Sequence, residues 1–190
     1  MTPQGSSDTD LIRAVRNGDD GAFTQLVKRY ETLVFSLAKR SLADTDEAQD
    51  VVQETFVSAW QALDRYDTAR PFGAWLRTIA LNKVRDRRRR ARVRRLIFAP
   101  FRPDADLDTA PDPGPGAETQ VADRQRLDQL RRAISELPDK LRESLVLTTL
   151  EGLSQQEAAE LLRLTPKAIE TRVYRARQRL AEVLNMRLGR

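Results

Sequence analysis

The chain has 190 residues, 40% hydrophobic and 32% charged, with a formal net charge of +5 carried mostly by arginine. That length fits one ordinary domain or two small ones, and the basic excess points to a polyanionic partner, either nucleic acid or an anionic membrane surface. Cysteine and histidine are both absent, which excludes disulfides, thiolate and imidazole metal sites, cysteine nucleophiles and histidine acid-base catalysis.

The first ten residues, MTPQGSSDTD, contain no apolar run, and no segment reaches membrane-spanning length. A soluble, cytoplasmic protein without membrane insertion is expected. From Asp19 onward, Phe23, Leu26, Val27, Tyr30, Leu33, Val34 and Leu37 recur at helical spacing behind acidic residues suited to a helix N-terminus. A second run from Asp46 carries Val52, Phe56, Val57, Trp60 and Leu63. Asp46, Glu47, Asp50 and Glu54 line its early turns. Acids there offset the helix dipole, and with Gln53 they equally form a polar surface for a protein partner; the residues alone leave both readings open.

A third run begins near Pro71, a residue suited to a first helical turn because its missing N–H is not needed there, and carries Phe72, Trp75, Leu76, Ile79 and Ala80. Trp60 and Trp75 fall on the apolar stripes of their helices and are assigned to the core. Tyr66, in the stretch between those helices, is then the better candidate for stacking on an unpaired base. The segment Lys83 to Arg95, KVRDRRRRARVRR, has nine basic residues and one acid in thirteen. The bland reading is a solubilising tract; the favoured one is a helix lying along nucleic-acid phosphates.

Between Ala99 and Gly116 lie five of the nine prolines, two glycines and four aspartates, a composition that cannot sustain helix or strand hydrogen bonding. This segment divides the chain into two small helical domains, 1–97 and 120–190, joined by a flexible linker over 98–119. Its acids Asp104, Asp106, Asp108 and Asp112 could fold back onto the basic tract when no nucleic acid is bound. Alternating strand-like runs are absent, so the expected class is all-α.

In the C-terminal half, Ser154 followed by Glu157 forms a capping-box pair, and Thr165 followed by Pro166 starts a second helix after a turn of about three residues. Two starts at this spacing predict a helix-turn-helix. At about 100° per residue, Val173, Ala176, Leu180, Val183 and Leu184 fall within about 60° of Ile169 and form the buried stripe. The opposite side holds Lys167, Thr171, Tyr174 and Gln178, flanked by Glu170 and Arg175, with Arg172, Arg177 and Arg179 on the shoulders. Solvated helix faces usually mix charge signs, whereas Arg163 to Arg179 has six basic residues and Glu170 as the one acid. DNA binding is favoured. Glu170 could accept from a cytosine amino group or pair with Lys167 or Arg177.

The stretches DEAQDVVQETFVSAW and RPFGAWLRTIALNKVRDRRRR closely resemble region 2 of the extracytoplasmic-function (ECF) sigma factors of the sigma-70 family, and LPDKLRESLVLTTLEGLSQQEAAELLRLTPKAIETRVYRARQRL resembles their region 4. The resemblance implies a promoter-specificity subunit of bacterial RNA polymerase. It assigns binding of the β′ clamp helices to Asp50, Gln53, Glu54 and Phe56. It assigns opening of the −10 element and capture of a flipped base to the loop Asp64 to Pro71, including Tyr66, and to Asn82, Lys83, Arg85 and Asp86. Arg87, Arg88, Arg89 and Arg90 would lie on phosphates. The −35 element would be read by Lys167, Glu170, Thr171, Arg172, Tyr174 and Arg175, and region 4 would also meet the β flap.

The same resemblance implies no catalytic residue, cofactor or metal, and an anti-sigma factor as regulator. Three positions depart from the family pattern: Glu170 where lysine or arginine is common, Arg163 where the turn often has glycine, and the acid Asp86 on a surface expected to face DNA. The rival readings are a stand-alone helix-turn-helix transcriptional regulator and an arginine-rich RNA-binding protein.

Overall fold

A computed structural model describes residues 6–98 and 118–187, without the side chains of 95–98, 118–125 and 187. The elements are α1 (Asp8–Arg16), α2 (Asp20–Ser41), α3 (Thr45–Ala62), a 3-10 turn (Leu63–Arg65), α4 (Phe72–Phe98), α5 (Glu118–Glu136), α6 (Asp139–Leu145), a π-helical turn (Val146–Leu150), α7 (Gln155–Leu162) and α8 (Pro166–Arg187). No strand occurs among the described residues, in accord with the all-α expectation. The acidic linker residues Asp104, Asp106, Asp108 and Asp112 lie outside the described residues.

Side-chain caps set the helix starts. Asp19 accepts from the Ala22 N–H at 3.2 Å, and Asp44 accepts from the N–H groups of Asp46 at 2.7 Å and Glu47 at 3.3 Å. Each satisfies donors that the first helical turn leaves unpaired. Helix α1 has a weaker sequence signal, being nine residues long; Ser7 caps it, and Leu11 and Ile12 are buried.

Helices α1 to α4 form the N-terminal bundle around Leu26, Val34, Leu37, Ala59, Leu76 and Ala80, all fully buried or nearly so. Tyr66 closes one end of this core. It is 6% exposed, its ring lies 5.4 Å from Phe72 and 4.6 Å from Trp75, and its hydroxyl donates to the Arg70 carbonyl. The expectation that Tyr66 is available for stacking on a base is therefore corrected, because its ring fills the space between α4 and the loop. Trp60 departs in the opposite sense. It packs edge-on against Phe23 at 4.8 Å yet remains 43% exposed, since α3 turns that edge away from α2 and α4.

The C-terminal half packs α6, α7 and α8 around Val146, Leu147, Ala158, Ala159, Ile169 and Ala176. The two halves also pack on each other. Helix α5 and the π turn approach α2, α7 approaches α4, and the buried side chains of both halves join in one apolar cluster. Ion pairs seal the contact: Arg40 to Glu151 at 2.6 Å, Arg85 to Glu143 at 2.7 Å, and Arg88 to Asp139 at 2.8 Å.

Candidate nucleic-acid and protein interfaces

The helix-turn-helix is built by two local devices. Ser154 Oγ accepts from the Glu157 N–H at 3.2 Å while the Glu157 carboxylate accepts from the Ser154 N–H at 2.8 Å, a reciprocal capping box that starts α7. These bonds to Ser154 hold the Glu157 carboxyl below its ordinary range. Thr165 Oγ1 accepts from the Ala168 N–H at 3.2 Å and starts α8, with Pro166 as its first residue. Between them Arg163 takes a left-handed conformation, φ 56° and ψ 52°. Leu164 N–H then bonds back to Ala159 O at 2.8 Å, which closes α7 and redirects the chain. The turn has the geometry that glycine ordinarily provides, at a cost for arginine of about 1–2 kcal/mol.

On α8 the polar and apolar sides separate as their angular positions require. Ile169, Ala176 and Leu180 are buried, while Lys167, Glu170, Thr171, Tyr174, Arg175 and Gln178 are exposed. Arg172 is half-buried. Tyr174 is 62% exposed, and its hydroxyl accepts from Gln178 at 2.8 Å. Glu170 pairs with Lys167 at 2.9 Å, one of the partners its position allowed. The polar edge borders a groove of about 520 Å³ lined by Thr148, Gln155, Lys167, Glu170, Thr171 and Tyr174, among others. A reading edge with donors, acceptors and an aromatic ring, flanked by arginines, suits base edges and phosphates in a major groove.

The second surface lies on α3. Asp50 and Gln53 are exposed and Glu54 is half-buried, but Phe56 is 7% exposed and points into the core beside Phe23, their ring centroids 6.4 Å apart. Phe56 supports this face from beneath instead of presenting itself to a partner. The apolar groups that do reach the surface next to the acids are Val57, 56% exposed, and Trp60. Sequence periodicity missed them because Val57 and Trp60 lie at helical spacing from core positions, and only the placement of α2 and α4 decides which edge is covered.

The third surface is the basic edge of α4. Asn82 is exposed, Lys83 and Asp86 are half-buried, and Asp86 pairs with Arg89 at 3.0 Å one turn along. Several arginines already have carboxylate partners. Arg87 bonds Asp50 at 2.8 Å and Glu54 at 2.7 Å and is only 18% exposed. Arg85 makes a two-pronged pair with Glu143, and Arg88 and Arg92 share Asp139. Burial works against the charged form of Asp139, but the bonds from Arg142 and Arg88 overcome it and hold the carboxyl at about 2. Among the described residues Arg90 and Arg94 have no carboxylate partner within salt-bridge distance.

The loop ahead of α4 has its own support, which the sequence did not signal. Arg16 of α1 donates to the carbonyls of Leu63 at 2.8 Å, Asp64 at 3.3 Å and Tyr66 at 2.6 Å. With the buried Tyr66 ring this pins the loop's start and leaves residues 67–71 exposed.

Residues 26–94 match Sigma-70 region 2 and residues 127–180 match Sigma-70, region 4. The RNA polymerase sigma factor CnrH of Cupriavidus metallidurans is 40% identical over 188 residues, 97% of each chain. The ECF RNA polymerase sigma factor SigW of Bacillus subtilis is 31% identical over 176 residues, 91% of this chain and 94% of that one. Among solved structures, CnrH in complex with the cytosolic domain of CnrY superposes with a TM-score of 0.67 at 35% identity, covering 95% of this chain and 99% of that one. The sigma factor RpoE in complex with the anti-sigma factor NepR from Bartonella quintana gives 0.63 at 26% identity, covering 86% and 96%. A helical chain with a helix-turn-helix behind a region 2 bundle defines a transcription initiation factor. This protein belongs to the sigma-70 family and, within it, to the extracytoplasmic-function sigma factors. No helix of the described residues is long and apolar enough to cross a membrane.

Proposed function

We propose that the chain acts as a non-catalytic, cytoplasmic specificity subunit in which residues 1–97 bind core RNA polymerase and the −10 element, 98–119 tether, and 120–190 bind the −35 element. The observation that carries this reading is the exposed edge of α8, where Lys167, Glu170, Thr171, Tyr174 and Arg175 stand clear of the fold on a capped helix-turn-helix. Arg172, lower on the same helix, reaches a flanking phosphate. Asp50, Gln53 and Glu54, with Val57 and Trp60 beside them, offer the β′ clamp helices a mixed acidic and apolar face. The α4 edge from Asn82 to Arg90, together with loop residues 67–71, faces the −10 element. The β flap meets the C-terminal half.

Two weak DNA modules on one tether gain affinity when both elements lie on one duplex at the right separation, and core polymerase sets that separation. Capture of an unstacked base offsets an unpairing cost of a few kcal/mol. Regulation by an anti-sigma factor is supported by the relative RpoE, whose structure was solved with the anti-sigma factor NepR.

Reconstituted transcription is the direct test. Core polymerase with this protein should initiate at specific sites on genomic fragments, and Asp50→Ala with Glu54→Ala should abolish that while the helical fold remains. Specific DNA binding without polymerase, insensitive to the α3 changes, would instead make the chain a stand-alone regulator.

A further inference from the structure

The two acids of α6 face the basic edge of α4. Glu143 presents both carboxylate oxygens to Arg85, Oε1 to Nε and Oε2 to Nη2, each at 2.7 Å. The remaining Arg85 nitrogen, Nη1, donates to Asn82 Oδ1 at 3.1 Å, so each nitrogen of that guanidinium has a partner. One turn further along, Asp139 accepts from Arg88 Nε at 2.8 Å and Arg92 Nη2 at 3.1 Å. A carboxylate on an arginine fork has the same two-oxygen geometry as a phosphate. Glu143 is only 7% exposed, so opening the contact returns a nearly buried carboxylate to water. Three arginines of one helix face are thereby paired with two carboxylates of a helix more than forty positions away in the chain.

We infer that Asp139 and Glu143 form an intramolecular latch. They occupy Arg85, Arg88 and Arg92 as phosphate mimics, and these three arginines become fully available to DNA only when the C-terminal half swings away from the N-terminal bundle. The inference rests on the proposed reading of α4 as a DNA-contacting helix. Arg40 of α2, bonded to Glu151 and to the Leu150 carbonyl, adds a second clasp on the same interface. The recognition edge of α8 is not covered, with Tyr174 62% exposed. The closed arrangement therefore withholds these three arginines and leaves Arg90 and the α8 edge free.

The test uses the full chain without polymerase and a fluorescent duplex of random sequence, with binding measured by anisotropy at several salt concentrations. The double variant Asp139→Asn with Glu143→Gln should bind roughly tenfold more tightly at low salt, and each additional phosphate contact should steepen the slope of log K against log salt by about 0.9. Asp139 also bonds Arg142, so the single variant Glu143→Gln, which leaves that pair intact, should show a smaller gain in the same direction. Asp128→Asn removes the same charge from an exposed pair on α5 and serves as the control. Because the chain has no cysteine, spin labels at Gln25→Cys and Glu182→Cys report the distance between the halves. That distance should lengthen and broaden in the double variant.

Unchanged affinity, slope and distance in the double variant, or an equal gain from Asp128→Asn, would overturn the latch. Arg90→Ala separates this failure from that of the underlying reading. If it leaves duplex binding untouched, α4 is not a DNA helix; if it weakens binding while the latch variants gain nothing, the latch alone is wrong.

Discussion

Arg87 and Glu54, on α4 and α3, form an ion pair with a 2.7 Å hydrogen bond, and the same guanidinium holds Asp50 at 2.8 Å. The arginine thus joins the basic helix to the acidic face proposed for polymerase. Arg87→Ala should lower stability by about 1 kcal/mol in urea unfolding, a modest value because both carboxylates remain partly hydrated. It should weaken core polymerase binding through disordered Asp50 and Glu54, with a smaller effect on duplex affinity than Arg90→Ala. A larger loss of DNA binding than Arg90→Ala would return Arg87 to the phosphate-contacting group.

Tyr66 separates a packing role from a base-stacking one. Tyr66→Phe keeps the ring between Phe72 and Trp75 and removes only the hydroxyl bond to Arg70, so stability should fall by about 1 kcal/mol with promoter opening retained. Tyr66→Ala empties a core site and should cost about 3–5 kcal/mol in thermal or urea unfolding. Permanganate footprinting on a supercoiled template measures opening for the phenylalanine variant.

The α8 edge can be divided into base reading and phosphate contact. Tyr174→Ala and Thr171→Ala should each reduce discrimination between promoter and random DNA by about 1–3 kcal/mol, with little change in random-sequence binding. Glu170→Ala releases Lys167 from its 2.9 Å pair and should raise general affinity while altering base preference at one position. Competition binding against randomised −35 sequences reads both effects. Equal losses on all duplexes would mark the edge as a backbone contact.

Asp139 provides a pH signature. Its carboxyl is held at about 2, below the ordinary 3.8, by Arg142 and Arg88 against the opposing effect of burial. A depressed carboxyl contributes stability that is complete above its unfolded value and declines as pH falls through 3.8 towards 2. The groups facing it are the guanidinium groups of Arg88, Arg92 and Arg142, with Glu143 one turn along α6. The distance between labels in the two halves should therefore stay constant from pH 7 to about 4 and lengthen below it, while Asp139→Asn removes most of this dependence.

Arg163 stores backbone strain in the turn between α7 and α8, with φ at 56°. Glycine relieves about 1–2 kcal/mol of left-handed strain and loses part of that through a more flexible unfolded chain, so Arg163→Gly should raise stability by about 0.5–1 kcal/mol. The midpoint of thermal unfolding checks the sign.

The helices and the reading edge were legible in the chain because they follow from local rules. Asp19, Ser154 and Thr165 cap helices through their own side chains, and the 3.6-residue repeat assigns Ile169 and Ala176 to one side of α8 and Thr171 and Tyr174 to the other. Family resemblance added the expected order of surfaces from residues that stand in this sequence. Exposure on the other helices depends on what covers each edge. Trp60 lies on an apolar stripe whose margin no neighbour reaches, Tyr66 lies in a loop that folds back over α4, and Phe56 turns inward to Phe23. No periodicity within one helix contains that information. The partners of the arginines are likewise a tertiary decision: Glu143 and Asp139 hold Arg85 and Arg88 from 58 and 51 positions away, because ion pairing is set by proximity in space. Sequence alone determined that this protein carries a capped helix-turn-helix and a basic helix; only the packing of its two halves decided which arginines of that basic helix are paired, because their acids come from a distant helix.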